Sequence, residues 1–190
     1  MCKKIVLRGK TEAVMPDRSL DYVYEEIGLS DAIPMCDILI LPRDNLFSIV
    51  ETVVSMRATN PICRIVLEHG PYQENLISAL FPFAEFLRDG KVLLSSVYSG
   101  EGTYRHDYQV RALSWRETKI LDPLSYGLSD KEISLLLGIS QRTVVRTKQR
   151  VIEKTGLLSS GQLSIFSAAR NWISEREDAV KKGNKIAQLF

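Results

Sequence analysis

Residues 127 to 156 read GLSDKEISLLLGISQRTVVRTKQRVIEKTG, and the fold of the C-terminal half follows from this stretch. Ser129 stands where a helix N-cap belongs, and Glu132 sits three residues on, completing a capping-box pattern. The helix so opened carries Ile133, Leu136 and Leu137 and stops at Gly138. Ser140 caps a second helix that runs to about Thr155, where Gly156 ends it. Gly138-Ile139-Ser140 is the spacing of a helix-turn-helix, because glycine permits a backbone turn that other residues resist. The second helix holds Arg142, Arg146, Lys148 and Arg150, with no acid before Glu153. A helix of this size fits the major groove of double-stranded DNA, where side chains reach base edges while basic groups hold phosphates.

A helical wheel divides the second helix into two stripes. Val144, Val151 and, half a turn off, Lys148 are expected to pack on neighbouring helices. Arg142, Val145, Arg146 and Gln149 form the opposite stripe, assigned to the groove. Arg146 and Gln149 are the base-reading candidates, since a guanidinium pairs with guanine and an amide with adenine. Val145 can touch a thymine methyl, and Arg142 and Arg150 are expected at phosphates.

Outward from this pair, Ser114 and Glu117 form another capping box, opening a helix that Gly127 stops. Pro123 lies near its end and lacks a backbone donor, so that helix should kink or stop early. Ser159 or Ser160 opens a fourth helix with Leu163, Phe166 and Trp172. Four helices with short loops make a compact bundle.

These residues resemble the LuxR/FixJ type of regulator. Leu113-Ser114-Trp115-Arg116-Glu117 is similar to its opening Leu-Thr-x-Arg-Glu. Residues 127–134, GLSDKEIS, resemble its Gly-x-Ser-x-Lys-Glu-Ile-Ala, and Leu137 to Ser140, Thr143-Val144 and Lys154 follow in order. The resemblance implies a four-helix domain that binds DNA as a dimer, with Thr143, Lys131 and Lys154 added to the DNA-binding set. It also implies that the last helix supplies the dimer contact, for which Leu163, Phe166 and Ala169 are the candidates. The chain departs from the family at Val145 and Thr147, where Lys and His are usual, and at Thr155, where a core leucine is usual.

The first half alternates apolar runs with helical patterns, which implies βαβ units and a parallel sheet. Residues 3–8 (KKIVLR), 37–41 (DILIL) and 62–67 (ICRIVL) read as strands. Residues 19–27 (SLDYVYEEI) place Leu20, Val23, Tyr24 and Ile27 on one helical face and read as a helix. Further helices are expected from Asn45 to Asn60-Pro61 and from Pro71 to Phe81. The last strand is either 85–88 or 91–96. The order of elements resembles a phosphoacceptor receiver domain loosely. No acidic pair follows the first strand at Gly9-Lys10-Thr11, Pro42 stands where the acceptor aspartate belongs, and Asp44 is two residues late. Arg88 could take the place of the lysine on the last strand. Only about eight residues separate the 19–27 helix from DILIL, which leaves little room for a second strand-helix unit. The reading is a degenerate, truncated receiver-like α/β domain over 1–104. A linker at 105–112, a helix-turn-helix domain over 113–173 and a basic tail at 174–190 follow. RcsA-like orphan regulators share this arrangement, a resemblance that implies control by abundance or by pairing rather than by phosphate.

Charge agrees with this division. Residues 1–104 hold 10 Lys+Arg against 14 Asp+Glu, and residues 105–190 hold 15 against 9. One half is therefore suited to a polyanion and the other is not. The composition, 45% hydrophobic and 25% charged, is that of an ordinary globular chain. No run is long enough for a membrane span and no signal peptide is recognised, so the expected location is the cytoplasm. Cys2, Cys36 and Cys63 read as free, largely buried thiols in a reducing compartment rather than a redox switch. No Cys/His cluster suggests a metal, no motif suggests a cofactor, and His69 and His106 stand alone. Catalysis is not expected. The expected function is sequence-specific regulation of transcription as a homodimer, or as a heterodimer with another regulator. The alternative is an interaction protein that modulates a partner regulator through its N-terminal half.

Overall fold

The computed structural model describes residues 3–9, 14–15, 22–28, 31–42, 45–68, 74–88, 91–105 and 111–187. They fall into two compact units, residues 1–74 with 83–106 and residues 75–82 with 107–190.

The first unit is built on a sheet in the order β3-β1-β4-β5-β6-β8, formed by β1 (Lys3–Arg8), β3 (Tyr22–Ile27), β4 (Ile38–Leu41), β5 (Arg64–Leu67), β6 (Glu85–Leu87) and β8 (Thr103–Tyr104). Every pairing is parallel except β6 with β8. Continuous apolar runs form the middle strands because both sheet faces are covered, and all four residues of β4 are buried. On one face Ile5, Leu7, Ile38, Ile40, Val66 and Leu87 pack with Val14, Val92, Leu94 and Val97. Those last four come from a small parallel pair, β2 (Val14–Met15) with β7 (Val92–Leu93), and from helix α3 (Leu94–Ser99). Helix α1 (Leu46–Thr59) is capped by Asn45, whose side chain accepts from the Ser48 N–H, and buries Ile49, Val50, Val53 and Met56. At the start of β6, the nearly buried Glu85 is satisfied by Arg64 at 2.6 Å and by the Thr103 hydroxyl at 2.9 Å.

The structure corrects the helix expected at 19–27. Residues 22–27 are β3, paired in parallel with β1 over six residues from Lys3↔Tyr22 to Arg8↔Ile27. Tyr22-Val23-Tyr24 favours extended backbone, and a spacing compatible with a helix face over nine residues does not outweigh a partnered strand. The second strand is therefore present. Among the described residues, no helix lies between β1 and β4. The ambiguous last strand is resolved as well: residues 85–87 join the main sheet, while 92–93 pair with β2 before the chain turns into α3. Ile62, read as strand, precedes β5 and is exposed. Helix α2 (Glu74–Leu80) falls within the helix expected at 71–81, and residues 75–82 count with the second unit.

The second unit contains α4 (Trp115–Ser125), α5 (Asp130–Leu137), α6 (Gln141–Thr155) and α7 (Ser160–Ala187). Helix α4 packs on α7, α5 on α6, and α6 on both α4 and α7. Ile120, Leu121, Leu124, Ile133, Val144, Val151, Leu157, Leu163, Phe166 and Ala169 are buried. Both expected capping boxes are formed, Ser114 with Glu117 and Ser129 with Glu132. Pro123 lies inside α4, which ends two residues later at Ser125. Helix α7 runs well past Trp172, through the segment read as a tail, to Ala187.

Candidate nucleic-acid interface

Helix α6 is positioned at its N-terminus by two local devices. Gly138 ends α5 in the left-handed region, at φ 65°, and the Ile139 N–H then reaches back to the Ser134 carbonyl. This closes the turn in the manner of a glycine C-cap. Ser140 follows as N-cap, its hydroxyl accepting from the Thr143 N–H at 3.1 Å and bonding the Thr143 hydroxyl at 2.8 Å.

Three buried side chains and two ion pairs then fix how α6 is rotated. Val144 and Val151 are completely buried, and Thr155 is 1% exposed. The Thr155 hydroxyl donates to the Val151 carbonyl at 2.7 Å, so a polar residue occupies a core position without a lost hydrogen bond. On the same side Lys148 meets Asp130 of α5 at 2.9 Å. Lys154 meets Glu117 of α4 at 2.8 Å. Burial pushes the Glu117 carboxyl up, but the Lys154 ammonium and the Ser114 N–H and hydroxyl outweigh it, holding the group at about 2.

With that face occupied, Arg142, Val145, Arg146, Gln149 and Arg150 are all exposed. Among the described residues nothing neutralises the three guanidinium groups; Gln149 makes a long bond of 3.4 Å to Glu153. The arginines are spaced by four, so they form one stripe along the helix. An uncompensated row of planar donors beside a methyl-bearing side chain and an amide can bind phosphates and read base edges. Thr143 and Lys131 are also exposed. Lys154 differs from the other candidates, since its ammonium is tied to Glu117 and is only partly exposed.

The structure places the three dimer candidates inside their own unit. Leu163 and Ala169 are completely buried and Phe166 is 4% exposed, so all three belong to the core of their own unit. The apolar side chains left outside at this end are Leu158 and Ile165, 63% and 46% exposed. In a helix packed on a bundle the largest apolar residues face the bundle first. Sequence reasoning also passed over Arg111. Its N–H donates to the Lys154 carbonyl at 2.9 Å, and it lines an open cleft with Glu117, Arg150, Glu153 and Lys154. Only its position two residues before the Leu113-Ser114 opening could have marked it.

In the first unit, Asp44, His69 and His106 lie outside the described residues, as do Lys10 and Thr11. Arg88 follows β6 directly, and its Nε donates to the Glu101 carbonyl at 2.8 Å. Among the described residues, no group of acids, histidines and cysteines is arranged to hold a metal ion.

The family model for bacterial regulatory proteins of the luxR family matches residues 111–166, the segment that holds this interface. Over 62 residues the chain is 47% identical to the transcriptional regulatory protein TdiR of Thauera aromatica. That match takes in 33% of this chain and 27% of TdiR, so the chain covers about a quarter of the curated relative's length. Among solved structures, the two-component response regulator RcsB in complex with DNA has a similar fold. Its TM-score is 0.57 at 13% identity, over 89% of this chain and 99% of that one. RcsB from Salmonella enterica serovar Typhimurium bound to promoter rprA gives 0.56 at 14% identity, over 88% and 98%. The α/β unit and the helical unit thus both have counterparts in one known architecture, a parallel-dominated mixed sheet followed by a luxR-type helical domain.

Proposed function

We propose that this chain, whose residues 111–166 form a luxR-family helix-turn-helix domain, is a sequence-specific DNA-binding regulator of transcription acting as a dimer in the cytoplasm. The observation that carries the reading is the outer face of α6. Arg142, Val145, Arg146, Gln149 and Arg150 are exposed together while the opposite face is buried and internally neutralised. Arg146 and Gln149 read base edges, Val145 contacts a thymine methyl, and Arg142, Arg150, Thr143 and Lys131 hold the backbone. Lys154 acts indirectly, by pairing with Glu117 and fixing α6 against α4. The dimer contact uses Leu158 and Ile165, the apolar groups that the bundle leaves uncovered near the start of α7. RcsB, similar in fold, is described as two dimers bound to two parallel DNAs, which makes a dimer the natural assembly to test.

Regulation proceeds without phosphorylation. The chain has Gly9-Lys10-Thr11 after β1 and Pro42 directly after β4, so the carboxylates that would hold a divalent ion beside an acceptor are not at those strand ends. No helix among the described residues is long and apolar enough to cross a membrane.

The test is selection of bound duplexes from a random pool across a salt series. Enrichment of two half-sites, with affinity falling steeply as salt rises, is the expected result. Weak binding without enrichment would mean that the chain reads sequence only beside a partner regulator, as the interaction-protein alternative requires.

A further inference from the structure

Cys36 and Cys63 stand 27 positions apart in sequence, yet their sulfurs lie 3.7 Å apart. Cys36 lies two residues before β4, and Cys63 immediately precedes β5. Their surroundings are fixed by polar bonds. The Asn60 amide donates to the Cys36 carbonyl at 2.6 Å, and the Cys63 N–H donates to the Asn60 carbonyl at 3.2 Å. Asp37 and Arg64 then begin the β4–β5 ladder, the Arg64 N–H donating to the Asp37 carbonyl at 2.9 Å. The two thiols are therefore held face to face by the sheet itself, within a small movement of bonding distance.

The pair is chemically unequal. The hydrogen bond shared with Cys63 holds the Cys36 thiol below its ordinary range, with Lys4 assisting and burial and Asp37 opposing. The bond shared with Cys36 and burial push the Cys63 thiol up. The Arg57 guanidinium acts on Cys63 electrostatically, and its Nε is buried without a hydrogen-bond partner. Both cysteines are buried, at 4% and 1% exposure, while their chain neighbours Met35 and Ile62 are 66% and 86% exposed.

We propose that Cys36 and Cys63 form an oxidation site, in which a hydroperoxide converts the facing thiols to an intramolecular disulfide tying the start of β4 to the start of β5. The Cys36 thiolate attacks a peroxide oxygen, the O–O bond breaks, and Cys36 becomes a sulfenic acid while the alkoxide or hydroxide released takes up a proton. The Cys63 sulfur then attacks the Cys36 sulfur; the S–O bond breaks and the departing hydroxide leaves as water with the Cys63 proton. In total two thiols and one hydroperoxide give one disulfide, one alcohol (or water) and one water. The sulfurs are oxidised and the peroxide is reduced.

The experiment treats the reduced full chain with hydrogen peroxide, blocks remaining thiols by alkylation, and maps unreduced peptides by mass spectrometry. The expected product is a Cys36–Cys63 cross-linked peptide that dithiothreitol reverses, with Cys2 still alkylated. In Cys63→Ser, a sulfenic acid trapped by dimedone at Cys36 is expected in its place. The proposal is overturned if both thiols remain alkylatable after peroxide, if cross-links run only through Cys2, or if Cys36 is oxidised to sulfinic acid without any cross-link.

Discussion

Arg146 and Gln149 project from α6 with no ion pair to hold them, whereas Lys148 and Lys154 on the same helix are each anchored to a carboxylate. The difference decides what each substitution should do. Arg146→Ala and Gln149→Ala should each weaken specific binding by about 1–3 kcal/mol while leaving the unfolding midpoint unchanged. Titration of a selected duplex, with thermal unfolding as control, measures both; a stability loss equal to the affinity loss would sink the assignment. Glu117 supplies a prediction of the opposite kind. Its carboxyl lies at about 2, down from an ordinary 4.5, so the folded state favours its charged form. Stability from this group is full above pH 4.5 and disappears as pH falls through 2. Glu117→Gln should therefore lower stability at neutral pH by about 2 kcal/mol, with the two proteins converging as pH approaches the lower value. Parallel curves for the two proteins across that window would refute the pairing's role.

At the scale of elements, the turn between α5 and α6 sets where the reading face points. Gly138 adopts φ 65°, and a Cβ placed there would meet nothing within 4 Å. The cost of a side chain is thus backbone strain alone, roughly 1–2 kcal/mol for an alanine. Gly138→Ala should destabilise the protein by that amount in urea unfolding, and Gly138→Asn by less, since asparagine tolerates the left-handed region. Equal losses for both would point to a steric cause that the geometry does not contain. Elements also show where local pattern suffices. Ser114, Ser129 and Ser140 were legible as caps because a cap is decided by its own side chain and the next three residues. The segment 22–27 was not, because its six-residue ladder depends on β1, far away in the chain.

At the scale of the molecule, the two units differ in charge and in the probes they carry. Both tryptophans, Trp115 and Trp172, belong to the second unit. Tryptophan fluorescence should then follow the unfolding of that unit, while far-UV circular dichroism follows both. Distinct midpoints for the two signals are expected if the units unfold separately. Coincident transitions would show that they unfold as one.

The sequence by itself determined the helix-turn-helix, its caps, its inward valines and the outward arginine stripe, because each follows from helical periodicity within fifteen residues. It also determined that the strand ends beside β1 and β4 carry glycine and proline rather than acids. Only the tertiary structure decided which way α7 faces, burying Leu163, Phe166 and Ala169 and leaving Ile165, like Leu158 just before the helix, outside. It alone made 22–27 a strand and brought Cys36 to Cys63. Such choices rest on partners distant in the chain, whose burial free energy outweighs local preference and which no local spacing can reveal.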